Sequence, residues 1–200
     1  MGCMTANFSS CMMENHIPAS VLDATHGFSC LLGSDGSQFL FSLGDDQIFR
    51  VSADLNTGCS AWTTCDVAST LLETITGAQV KCFAVSYAPL NGTITIVLVL
   101  EQTQGGDLLY VASGLIATAQ AQWLADGGAG IQWVNVVFDS TAFDTIVAAS
   151  LNISEIALQL SIQAKAAETP LAYATVTDPS NGFNRVFFVE IPPAGLTPLE

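Results

Sequence analysis

Two carboxylates, two indoles and one guanidinium stand out in this sequence because their types and spacing bear on chemistry. Asp46 and Asp107 are 61 residues apart, and at the same spacing Gly44, Phe49, Ser52 and Trp62 fall on Gly105, Tyr110, Ser113 and Trp123. In both copies the Trp follows the aromatic by 13 positions. A Trp beside a polar turn suits a sugar: the C–H face of a pyranose stacks on the indole while fixed polar groups take its hydroxyls. Arg50 adds a fork of donors, although Val111 stands at its place in the second copy, so the two sites are not identical. The competing role for both tryptophans is packing between repeats. Trp62, Trp123, Arg50, Asp46 and Asp107 are therefore the candidate ligand contacts.

Catalytic chemistry leaves fainter traces. Asp23, His26 and Ser29 are close in sequence, but Gly27-Phe28-Ser29-Cys30-Leu31 lacks the final glycine of a nucleophile elbow. Asp45, Asp46, Asp107, Asp139 and Asp144 qualify for glycoside hydrolysis by type alone, and turn capping accounts for each equally well. Ser34-Asp35-Gly36 lacks the spacing of the sialidase turn. No glycine-rich loop runs into a lysine, and no calcium loop of alternating acids ends in Glu. His16 and His26 are not spaced with the cysteines as metal ligands. No catalytic residue, metal ligand or cofactor is assigned.

The elements that must position these residues are short strands. Phe83 to Tyr87 and Ile94 to Leu100 are rich in Val, Ile, Phe and Tyr, and Asn91-Gly92 between them fits the positive φ values of a tight hairpin. Leu108 to Ala112 follows as a third strand. Residues 28–52 repeat this order. A weaker copy spans 131–163, and a fourth begins at 171–191, where Pro179, Asn181 and Gly182 match Pro89, Asn91 and Gly92 at a spacing of 90. The linking segments 53–79 and 114–130 are each expected to add a strand around their Trp. Turn centres recur about every 49 residues, close to the ~40–50 of a propeller blade. The expectation is an all-β, propeller-like array of about four blades in 28–200, with units near 28–79, 80–130, 131–169 and 170–200 after an N-terminal segment 1–27. The fourth unit stops after two strands. The array is therefore part of a larger propeller, or it closes with the N-terminal strand, or it closes as a homo-oligomer. A β-sandwich is the alternative fold.

The strand order and the Trp 13 residues after Phe49 and Tyr110 resemble the blades of β-propeller lectins of the fucose-binding and tectonin-like groups, over about residues 28–125. Kelch blades are the rival resemblance: Gly105-Gly106, Tyr110 and Trp123 are similar to that pattern, but the first unit has Gly44-Asp45 where the double glycine belongs. The lectin resemblance implies sugar binding in pockets between blades, with Trp62, Trp123 and Arg50 as contacts.

Bulk composition narrows the partners. Half of the 200 residues are hydrophobic, 11% are charged, and 18 acids against four bases give a net charge of −14. That balance excludes nucleic acid and anionic membrane as partners. The longest apolar run, Ile94 to Leu100, is too short to span a bilayer as a helix. The first twenty residues show no signal-peptide core, and Gly2-Cys3 lacks the Ser or Thr at position 6 that acylation expects. Six cysteines all lie in the first 82 residues, and in an oxidising compartment Cys59 with Cys65 and Cys30 with Cys82 are the pairs to consider. With sequons at Asn7, Asn91 and Asn152, they fit a secreted glycoprotein. A cytoplasmic protein with six buried thiols is the alternative.

From sequence, then, the chain is a non-enzymatic module for a carbohydrate or glycoprotein ligand. Two alternatives are a propeller enzyme with acids in a central channel and a protein-interaction scaffold.

Overall fold

A computed structural model describes residues 24, 26–32, 38–54, 62–88, 92–115, 123–124, 128, 130–136, 151–163, 167–177 and 182–190. These form an all-β architecture of three antiparallel sheets with little helix. The first sheet is the meander β1 (Gly27–Leu32), β2 (Gln38–Leu43), β3 (Phe49–Asp54) and β4 (Trp62–Asp66). Helix α1 (Ser69–Thr74) leads into the second meander of β5 (Ala78–Ala88), β6 (Thr93–Gln102), β7 (Leu108–Leu115) and β8 (Val134–Val136). The third sheet comprises β9 (Ile153–Gln163), β10 (Ala167–Thr177) and β11 (Asn184–Glu190).

Strand β6 explains the stacking. Its sequence Thr-Ile-Thr-Ile-Val-Leu-Val-Leu is apolar almost throughout, as a strand covered on both faces must be. Ile94, Ile96, Leu98 and Leu100 join the core shared with the first sheet, while Val97 and Val99 join the core shared with the third. In the first core Phe39, Phe41 and Phe49 stack in succession at 6.4 and 6.3 Å, and Phe49 meets Phe83 of β5 at 4.8 Å. The second core is smaller in side-chain volume: Val97, Val99, Leu109 and Val111 pack against Leu151, Ile153, Ala172, Ala174 and Val176. Neighbouring sheets approach through their first strands, β1 with β5 and β5 with β9.

Polar bonds fix the second seam. The buried carboxylate of Asp107, just before β7, accepts the Ile153 amide at 2.7 Å and the Lys81 ammonium at 2.8 Å. The Asp107 amide donates to the Leu151 carbonyl, also at 2.7 Å. Charge-assisted bonds of this length in a part-buried seam are stronger than neutral ones.

The sheets divide the chain differently from the sequence units. Val134 to Val136, read as the opening strand of a third unit, pairs with β7 and completes the second sheet. Strands β9, β10 and β11, assigned to units 131–169 and 170–200, form one sheet. Trp62 opens a strand as expected, but Trp123 lies with Leu124 in a helical turn, and α1 occupies part of 53–79 that was expected to be strand and loop. The hairpin expectation at Asn91-Gly92 is met at Gly92, whose φ is +65°.

The proposed Cys30–Cys82 pairing is also corrected. Cys30, Cys65 and Cys82 are free thiols. Cys30 pairs with Leu40 on the outer face of the first sheet, whereas Cys82 pairs with Val99 and packs into the second core. Side chains pointing away from each other cannot be bridged without moving backbone. Burial pushes all three thiols up, Cys82 to about 11. Cys3, Cys11, Cys59 and the N-terminal segment 1–23 lie outside the described residues.

Candidate binding face

The three strands Gln-Phe-Leu-Phe-Ser-Leu, Phe-Arg-Val-Ser-Ala-Asp and Trp-Thr-Thr-Cys-Asp alternate, so each presents a different set of side chains to each face of the first sheet. Phe39, Phe41, Leu43, Phe49, Val51 and Ala53 turn inward to the first core. Residues directly opposite in an antiparallel ladder share a face. The register therefore places three rows on the outer face: Phe28, Ser42, Arg50 and Asp66; Cys30, Leu40, Ser52 and Thr64; and Gln38, Asp54 and Trp62.

The middle of this face is polar and buried. Ser42 and Ser52 are wholly buried and Asp54 is 1% exposed, while Phe28, at 57%, and the exposed Thr64 form a rim. Ser52 and Thr64 bond through their hydroxyls at 2.9 Å. Among the described residues, the buried Ser42 hydroxyl and Trp62 indole N–H find no hydrogen-bond partner. Unspent polar atoms in a folded interior are costly and mark places where a ligand or water completes the structure. The Ser86 and Tyr87 hydroxyls and the Trp133 N–H, around the second sheet, are also unspent. Tyr87 and Trp133 pack against the first core, however, and Tyr87 lies opposite Ile94, with no charged group in its row.

Arg50 is held across the outer face from one end. Its guanidinium binds Asp46 through both nitrogens, Nη1 to Oδ1 at 3.0 Å and Nη2 to Oδ2 at 2.5 Å. Asp46 also accepts the Ile48 amide at 3.1 Å, which fixes the β2–β3 turn. Together these bonds hold the Asp46 carboxyl down at about 2 and push Arg50 up. On the opposite side of Arg50, burial pushes the Asp66 carboxyl up, against the pull of the Ala68 amide and of Arg50.

Of the five residues picked out by spacing, the fold brings Trp62, Arg50 and Asp46 to one sheet and sends the other two elsewhere. Asp107 serves the seam between the second and third sheets, and Trp123, 3% exposed, packs in the first core against Gly114. Gln38, Ser42, Ser52, Asp54, Thr64 and Asp66 were missed. Their signal was present as every second residue of β2 to β4, but without a partner strand the alternation did not show which face was which. Among the described residues no three His, Cys, Asp or Glu side chains gather as a metal site, and no helix is long and apolar enough to cross a membrane. The chain matches no known protein-family model and no curated protein.

Proposed function

We propose that this protein is a non-catalytic binding module of propeller-like build that takes a carbohydrate at the outer face of its first sheet. The observation that carries the reading is the combination on that face of a half-exposed indole, a pre-oriented guanidinium and unspent buried polar atoms at Ser42 and Trp62. A sugar needs an apolar platform with fixed donors and acceptors around it, and Trp62 with Gln38, Arg50 and Thr64 supplies both kinds of group. The stacking of meanders through their first strands supports the propeller-like build, with further sheets or a second copy completing the array. Secretion, with a glycoprotein as the natural ligand, belongs to the same proposal.

Glycan-array binding of the purified chain, with Trp62→Ala and Arg50→Gln alongside, tests it. A folded Trp62→Ala variant is expected to weaken binding by about 2- to 13-fold, the scale of one lost aromatic contact of ~0.5–1.5 kcal/mol. A blank array with folded wild-type protein rejects the carbohydrate reading.

A further inference from the structure

The seam between the second and third sheets holds more than an ion pair. The Lys81 ammonium lies 2.8 Å from Asp107 Oδ2 and 2.8 Å from Asn152 Oδ1. Lys81 is itself the extra residue of a β-bulge: Val80 pairs with Leu100 and Cys82 with Val99, leaving Lys81 between them without a partner in the ladder. Such a bulge re-aims a side chain, and here it turns Lys81 into the seam. Asn152 is held from its backbone as well, because its carbonyl accepts the Thr177 amide at 2.9 Å, and both neighbours, Leu151 and Ile153, bond to Asp107. The Lys81 amine is thereby fixed within one hydrogen bond of both a carboxamide and a mostly buried carboxylate.

We propose that Lys81 and Asn152 become joined by an intramolecular isopeptide bond, with Asp107 moving the proton. Asp107 Oδ2 takes a proton from Lys81 Nζ, and the freed amine attacks Asn152 Cγ. The tetrahedral adduct collapses with cleavage of the Cγ–Nδ2 bond: Nδ2 leaves as ammonia with the proton that Asp107 held, and the second proton lost from Nζ passes through the freed Asp107 carboxylate to that ammonia, which departs as ammonium. The net change is ammonium side chain plus carboxamide giving secondary amide plus ammonium ion, with no oxidant, reductant or cofactor. Holding the reacting groups in register converts a very slow bimolecular aminolysis into an intramolecular one. Exposure of Asn152 gives ammonia a way out. The bond would tie β5 to the start of β9, so that the two sheets could not separate.

Intact-mass spectrometry of the full chain, followed by peptide mapping after cleavage at glutamate, which separates Lys81 from Asn152 at Glu101, tests this. The wild-type protein is expected to be lighter than its sequence by one ammonia, and its digest to contain a branched peptide joining Lys81 to Asn152. Lys81→Arg keeps the positive charge beside Asp107 and is expected to show its full sequence mass. Asp107→Asn is expected to lose the branched peptide even where it folds. A wild-type chain at full sequence mass overturns the proposal. So does loss of ammonia without the branched peptide, which would indicate ring closure at Asn91-Gly92 instead.

Discussion

Phe49 and Tyr110, which the 61-residue repeat superposes, face the same core from opposite sheets. Phe49 pairs with Leu43 on the side of the first sheet that meets the second, and Tyr110 pairs with Leu98 on the side of the second sheet that meets the first. Side chains alternate faces along a strand, so a match in spacing reverses its face when the sheets stack this way. The aligned residues are therefore neighbours in one layer and not equivalents in two. Phe49→Ala is expected to cost about 3–5 kcal/mol of unfolding free energy, by the cavity it leaves among Phe41 and Phe83. Phe28→Ala, on the exposed rim, is expected to stay within about 0.5 kcal/mol. Urea denaturation of the two variants checks the contrast.

Trp123→Ala is expected to lower stability by about 3–5 kcal/mol, since the ring is buried against Gly114. Glycan affinity per folded molecule should be unchanged. Loss of binding from a folded Trp123→Ala protein would move the site from the outer face to the first core.

The paired acids separate by burial. Asp107→Ala strands the buried Ile153 amide and removes the partner of Lys81, an expected loss of about 1–3 kcal/mol from the amide alone. Asp46→Ala removes a solvent-exposed pair and is expected to shift the thermal midpoint far less. Thermal unfolding of both variants decides whether the two aligned positions do the same work.

Acid titration follows the same division. The folded-state value for Asp46 lies below its ordinary 3.8, at about 2, so its bond to Arg50 stabilises the fold above the ordinary value. That contribution fades as pH falls from about 4 through about 2. Carboxyl resonances followed by NMR should show Asp46 titrating near the lower limit, and Arg50→Gln should return it toward 3.8. Asp66 runs in the opposite sense: its raised value means that protonation favours the folded state as pH falls.

Thiol chemistry offers another check. Cys65 and Cys82 are held up by burial, so the native protein at pH 8 should label slowly at both positions with a thiol reagent, and quickly once denatured. Peptide mapping of the labelled positions reads the outcome. Fast native labelling of Cys82 would show that the second seam opens.

Local features of the fold were legible in the chain. Alternating and continuous apolar runs marked the strands and Gly92 marked a turn, because each depends on a few adjacent residues. The tertiary structure alone decided which strands share a sheet, which face of β2 to β4 turns outward, and that Asp46 and Asp107 serve different ends. Those outcomes rest on register and stacking. A three-residue strand, β8, joins whichever sheet offers it an edge, and the environment of a carboxylate is set by a segment such as Leu151 to Ile153, more than forty positions away in the chain from Asp107.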